Sequence, residues 1–290
     1  MSDGTFRRRL LALTGAAALA AGALLTAGAP AQAANTYCAE PVQPGAARLG
    51  AGQTLTAGQS VNVAGETLVM QQDGNLVLRL TAPGNPSGPP LWHSNTWGND
   101  GAYATMQADG NFVVYRQNGT ALWSSGTYGH PGSCLDVSPR GDVQVTAPDL
   151  NYAPWRLDSG YCYCNPDPYG PKDRWYAQGV LRRANWMESN TVWLVIPPSG
   201  DLTLYRKRDN AVLWHSNTPN PDGAMSTAIL QEDGNLVLWE VPPVGSPRHV
   251  GHTATWGNPG AYAHLQDDGN FVLYRQDGVP LWSTGTYGQV

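Results

Sequence analysis

One short pattern recurs along this chain and limits its fold more than any other feature. Gln-x-Asp-Gly-Asn, followed by alternating apolar residues, stands at 71–79, 107–115, 231–239 and 266–274. Two weaker copies occupy 138–146 and 197–205, where only the Gly-Asp core of the pattern survives. A longer block around the pattern returns at an offset of 159. Thr96-Trp97-Gly98-Asn99, Gly101-Ala102-Tyr103-Ala104 and Leu122-Trp123-Ser124 reappear as Thr255-Trp256-Gly257-Asn258, Gly260-Ala261-Tyr262-Ala263 and Leu281-Trp282-Ser283. The chain is therefore a tandem duplication of a unit of roughly 110–120 residues, with three copies of the short pattern in each unit.

Each copy reads as strand, tight Asp-Gly turn, strand, with period-two alternation after the turn. Helical periodicity is absent beyond the first 33 residues. Most copies are followed by a Trp next to a short polar turn, as in Leu91-Trp92-His93-Ser94-Asn95-Thr96, Leu122-Trp123-Ser124, Pro154-Trp155, Leu213-Trp214-His215-Ser216-Asn217-Thr218 and Leu281-Trp282-Ser283. Three Trp at a threefold spacing are expected to meet on a common axis. Three small sheets around that axis would bury one face each. The copy at 231–239 departs from this: Val250-Gly251 stands where Leu-Trp is expected, and Trp239 where its relatives have Tyr, which predicts local repacking. The sequence thus predicts an all-β protein with a unit at 34–159, a connection at 160–175 and a second unit at 176–290.

The first 33 residues read as an address. Arg7, Arg8 and Arg9 precede an uncharged run from Leu10 to Leu25, and Ala31-Gln32-Ala33 is a small-residue cleavage site. The Arg-Arg-x-Leu-Leu order is similar to a twin-arginine signal. The mature protein is expected to be secreted, since no later stretch is long and apolar enough to span a bilayer. In an exported chain the four cysteines Cys38, Cys134, Cys162 and Cys164 read as disulfides. Cys162 and Cys164 are expected to pair with Cys38 and Cys134, in either order, because neighbours at i and i+2 of an extended strand lie at the limit of disulfide reach.

Composition removes several function classes. The net charge is −5 and only two residues are lysine, so a nucleic-acid partner is not expected. The six histidines are scattered, and no zincin, nucleophile-elbow or phosphate-loop motif is present. Glycoside hydrolysis needs two convergent carboxylates, whereas each copy supplies one. No enzyme activity, metal or other cofactor is expected.

The repeated residues point instead to a ligand rich in hydroxyls. In an extended segment Gln107, Asp109, Asn111, Val113 and Tyr115 share one face, with Phe112 and Val114 on the other. Asp accepts hydrogen bonds, Gln, Asn and Tyr both donate and accept, and Val adds a small apolar patch. Sugars offer that mixture of hydroxyls and C–H faces. A turn needs Asp-Gly or Gly-Asn, but nothing about a turn requires the recurring Gln.

Q-x-D-x-N-x-V-x-Y resembles the motif of the bulb-type, monocot mannose-binding lectins, and the resemblance covers nearly all of the mature chain as two tandem domains. It implies two threefold β-prisms (β-prism II) with Trp cores, binding mannose-type glycans or cell-surface polysaccharide without calcium. In that family the Gln, Asp, Asn and Tyr hydrogen-bond mannose, and the Val packs on its ring. The implied full sites are Gln107, Asp109, Asn111, Val113, Tyr115 and Gln266, Asp268, Asn270, Val272, Tyr274. The implied variant sites are Gln71, Asp73, Asn75, Val77, with Arg79 in place of Tyr, and Gln231, Asp233, Asn235, Val237, with Trp239. Ser138, Arg140, Asp142, Gln144 and Pro197, Ser199, Asp201, Thr203 lack the pattern and are expected to be structural. The family often exchanges terminal strands between domains or subunits, which would shift these boundaries by one strand, and a second copy in a dimer is among the candidate partners. Bacterial tandem proteins of this fold include lectin-like bacteriocins, which makes a toxin the alternative function.

Overall fold

The computed structural model describes Cys38 and residues 44–139, 141–157, 159–167, 169–220, 225–242 and 244–290. The expected leader at 1–33 lies outside the described residues, as does Arg140. Among the described residues every named element is a β-strand, and residues 35–290 form one compact unit.

Six small sheets divide into two sets of three. In the first half, Ala47–Leu49 pairs with Cys134–Val137, which continues to Val143–Thr146 and Trp155–Leu157. The second sheet is Thr54–Leu55, Tyr103–Met106, Phe112–Tyr115 and Ala121–Ser124. The third is Ser60–Val63, Glu66–Met70, Leu76–Leu80 and Pro90–His93. In the second half the corresponding sheets are Gly160–Tyr161 with Asn185–Glu188, Val192–Val195, Thr203–Arg206 and Val212–His215; Arg174–Tyr176 with Tyr262–Leu265, Phe271–Tyr274 and Pro280–Ser283; and Val180–Arg182 with Met225–Leu230, Leu236–Val241 and Arg248–His252. All pairs are antiparallel except Gly160–Tyr161 on Asn185–Glu188. The middle hairpin of every sheet is one copy of the repeat. The segment 160–175 contributes the strand Gly160–Tyr161 and the start of Arg174–Tyr176, so it is woven into the second set of sheets.

The tryptophans do meet on the axis of the first half. Trp92, Trp123 and Trp155 contact one another edge to face, with centroids 5.2, 6.1 and 5.6 Å apart, an arrangement aromatic rings favour. In the second half only Trp214 and Trp282 pair, at 5.7 Å. The third place is empty of Trp because Gly251 takes it. This half places Trp175, opposite Ala263, where the first half has Leu55 opposite Ala104. Trp175 is fully buried and lies 6.3 Å from Phe271, so the larger side chain adds aromatic volume from an edge strand. The two halves also share packing. Trp186 and Trp193 join the first core, and Asn85 Nδ2 donates to Lys207 O and Asn210 Oδ1, each at 2.7 Å.

The disulfides differ from expectation. Cys38 pairs with Cys134, and Cys162 pairs with Cys164. The expectation assumed an extended chain at 162–164, where two residues would span about 6.6–7.2 Å. The chain leaves the strand there: Tyr163 bridges Val180 and a turn begins at Cys164. The Cα atoms consequently lie 5.1 Å apart, inside disulfide range.

Candidate functional site

The five motif residues do not share one extended strand, as the alternation had suggested. Residues 107–111 close the hairpin between Tyr103–Met106 and Phe112–Tyr115. Gln107 N donates to Asn111 O at 2.8 Å, and Gly110 N to Gln107 O at 3.2 Å. Gly110 has φ +95°, and a Cβ on it would lie 2.1 Å from His130 O, so glycine is needed both for its backbone angle and for the close approach of the next loop.

Half of each polar side chain is engaged in holding this turn. Asp109 Oδ1 accepts from Asn111 N at 3.0 Å, the usual Asx-turn bond. Asn111 Oδ1 accepts from Ser125 Oγ and from Thr127 N, both at 3.1 Å. Thr127 Oγ1 in turn donates to Gly110 O at 2.7 Å. The polar turn at 124–127 is thus a clamp on the Asn. The same bonds recur on Asn75 from Ser94 and Thr96, on Asn235 from Thr253 and Thr255, and on Asn270 from Thr284 and Thr286. Sequence reasoning placed Asn wholly outward and missed these Ser and Thr residues. Their signal was present in the Ser/Thr-x-Thr that recurs at 94–96, 125–127, 216–218, 253–255 and 284–286.

The other halves of those side chains remain available. At 107–115 Gln107 Nε2 donates to Tyr115 Oη at 2.8 Å, and at 266–274 Gln266 Nε2 donates to Tyr274 Oη at the same distance. Tyr115 is fixed further by stacking on Tyr103 at 5.6 Å, and Tyr274 on Tyr262 at 5.5 Å, two partners that the motif alone did not identify. Each full copy therefore retains two acceptors, Gln Oε1 and Asp Oδ2, and donors on Asn Nδ2, on the Tyr hydroxyl and on the second Gln Nε2 hydrogen, without partners among the described residues. The Asp is exposed and the Gln and Tyr half-buried. The valine is not the open patch expected of it. Val113 is 2% and Val272 4% exposed, so it forms a covered floor beneath the polar groups.

The variant copies keep the Asp and Asn arrangement and change the Gln. The Gln71 carboxamide faces Arg79, and the orientation that satisfies both groups sets its oxygen 2.9 Å from the donating Nη2. The amide hydrogens then face outward, reversing the polarity at this corner. At the other variant copy Trp239 has no acceptor for Gln231. Its ring packs instead on His249, with centroids 6.0 Å apart.

At 197–205 Asp201 occupies the place of Asn. Its Oδ1 accepts the same two clamp bonds, from Ser216 Oγ at 2.6 Å and Thr218 N at 2.9 Å. Where the other copies leave a free amide donor, Asp201 Oδ2 meets His215 Nδ1 at 2.7 Å. Burial acts to raise the Asp201 pKa, but these hydrogen bonds outweigh it and hold the carboxyl below its ordinary value. At 138–146 Asp142 accepts from Arg156 Nη2 at 3.1 Å. Neither copy presents this set of donors and acceptors. Among the described residues no group of three or more His, Cys, Asp or Glu is gathered as metal ligands.

Comparison with known proteins gives solved plant lectins. A lectin from Allium sativum is 36% identical, over 36% of this chain and 97% of its own, with a TM-score of 0.32. The mannose-specific agglutinin from snowdrop (Galanthus nivalis) bulbs, complexed with methyl-α-D-mannoside, is 30% identical over 36% of this chain and 93% of its own, with a TM-score of 0.32. The fetuin-binding agglutinin of Scilla campanulata, a two-domain lectin, is 25% identical over 82% of this chain and 99% of its own, with a TM-score of 0.32. No protein-family model and no curated protein matches the chain.

Proposed function

We propose that this chain is a secreted, non-catalytic lectin of the bulb-type family that binds mannose or mannose-containing glycans through its repeated hairpins. One observation carries the reading: each full copy leaves both acceptors and donors, on Gln, Asp, Asn and Tyr, around a valine floor. A bound anion would want donors only, and the Asp would repel it. A metal cation would want acceptors only. Vicinal hydroxyls both donate and accept, and a site built to pair them discriminates against a sugar whose hydroxyl points elsewhere, because its own groups are then left unpaired. One carboxylate per pocket argues against glycoside hydrolysis.

The pockets at 107–115 and 266–274 are the principal sites, and those at 71–77 and 231–237 are the subsidiary ones. Each pocket alone would bind a monosaccharide weakly, on the order of mM. Several on one chain raise the apparent affinity for a branched glycan by roughly 10²–10⁴ where the spacing allows. Calorimetric titration of residues 34–290 with methyl α-mannoside, beside the C2 epimer methyl α-glucoside, tests the reading. Saturable heat with a preference for the mannoside is expected. A folded protein that binds neither sugar refutes it.

A further inference from the structure

Four exposed aromatic residues stand at one fixed place relative to the pockets. Each follows the clamping threonine: Thr96-Trp97-Gly98, Thr127-Tyr128-Gly129, Thr255-Trp256-Gly257 and Thr286-Tyr287-Gly288. Trp97 and Trp256 are each 58% exposed, and Tyr128 and Tyr287 each 72%. A single exposed aromatic needs no explanation. Here all four copies with the Asp and Asn pair have one, and neither of the other two copies does. Thr218-Pro219-Asn220 follows the clamp on Asp201, and Ser159-Gly160 occupies the place after Trp155–Leu157.

The loop that carries the aromatic is fastened to the pocket. Gly129 N donates to Asp109 O at 3.0 Å, and Gly288 N to Asp268 O at 2.7 Å. In the other two copies Asn99 N donates to Asp73 O at 3.1 Å, and Asn258 N to Asp233 O at 2.9 Å. The aromatic is thus one or two residues from an atom bonded to the Asp of the pocket. In two copies a ring contact completes the link. His93 lies across the strand pair from Val77, and His252 from Val237. Trp97 packs on His93 with centroids 5.6 Å apart, and Trp256 on His252 at 5.5 Å. Burial, with the charges of Arg183 and Arg79 adding to it, pushes the His93 pKa below its ordinary value. These are also the two copies that lack the tyrosine.

We infer that Trp97, Tyr128, Trp256 and Tyr287 form a second subsite beside each pocket, stacking on the C–H face of the pyranose next to the one held by the Gln, Asp and Asn. The ligand class is an oligosaccharide of at least two pyranose units. This inference rests on the pocket reading above. An aromatic ring offers an apolar face to the C–H side of a sugar without requiring a hydrogen bond, so it accepts more than one linkage.

The test titrates methyl α-mannoside and a linear α-linked mannotriose into residues 34–290 and into a Trp97→Ala/Tyr128→Ala/Trp256→Ala/Tyr287→Ala variant. All four side chains are exposed, and the monosaccharide titration reports whether the variant's pockets are intact. The expected result is unchanged mannoside affinity and a roughly three- to tenfold weaker mannotriose affinity in the variant. An unchanged mannotriose affinity overturns the inference while leaving the pocket reading in place. An equal loss for both sugars also overturns it, because the aromatics would then belong to the primary pocket. Failure of the unsubstituted protein to bind either sugar refutes the pocket reading, and the second subsite with it.

Discussion

Replacing Asn111 and Asn270 by Asp separates the two roles of the pocket asparagine. The side-chain oxygen holds the clamp, and the amide nitrogen faces outward. Asn→Ala removes both. It leaves the amide of Thr127, a residue only 2% exposed, without its acceptor, at a cost of about 1–3 kcal/mol per copy. Two such changes would lower Tm by roughly 5–20 °C in a chain of this size. Asn→Asp keeps the clamp, as Asp201 demonstrates with its bonds of 2.6 and 2.9 Å to Ser216 and Thr218. Only the outward donor becomes an acceptor. Losing a hydrogen bond there, and setting a carboxylate against a hydroxyl oxygen, costs about 1–3 kcal/mol of binding, or roughly 5- to 150-fold per site. The assay is calorimetric titration with methyl α-mannoside alongside a thermal melt. The Asp double variant should melt close to the unsubstituted protein and lose binding at both full pockets, while the Ala variant loses binding and stability together. An Asp variant that binds normally would refute the donor role. One that destabilises as much as Ala would refute the clamp.

Further outcomes follow from single features. Glu66 is 1% exposed, its carboxylate oxygens have no hydrogen-bond partner among the described residues, and burial, reinforced by Asp142, raises its pKa to about 8. The folded state therefore holds a proton that the unfolded chain releases above its ordinary value near 4.5, and stability falls as pH rises from there to about 8. Denaturant titrations should show Glu66→Gln more stable by about 3–5 kcal/mol at pH 8 and equal to the parent at pH 4; a constant difference across that range would contradict this. Gly110→Ala, with φ +95° and a contact at 2.1 Å, should cost at least about 2–4 kcal/mol, whereas Gly119→Ala, at φ +85° with open space around it, should cost only about 1–2 kcal/mol in the same melts. Cys38 and Cys134 are 96 residues apart and Cys162 and Cys164 only 2, so loop-closure entropy assigns about 4–5 kcal/mol to the first disulfide and about 1–2 to the second. Paired Cys→Ser variants measured by urea unfolding should preserve that order.

Much of the fold was legible because the chain states it repeatedly. The hairpins came from the Asp-Gly turns, and the Trp92, Trp123 and Trp155 axis from the spacing of the copies. The break at Val250-Gly251 was visible as well. The burial of Trp175 was not, because its strand enters from a segment read as a connection and nothing local marks that residue as part of the core. The asparagine was misread for a related reason. A carboxamide has two ends, and only the three-dimensional register shows that Ser125 and Thr127 occupy one of them. The valines are buried rather than exposed, since alternation assigns a face and says nothing of what folds over it. For Cys162 and Cys164 an extended chain was assumed where the chain turns.

The central claim is that the unpaired donors and acceptors at each full hairpin receive the hydroxyls of a sugar. A crystal structure of the protein soaked with methyl α-mannoside tests it most directly. The account predicts one sugar at each of 107–115 and 266–274, within hydrogen-bond distance of Asp Oδ2 and Asn Nδ2, and none at Asp201, whose second oxygen is already taken by His215. Sugar at the Asp201 hairpin, or at neither full hairpin under saturating soak, would contradict it.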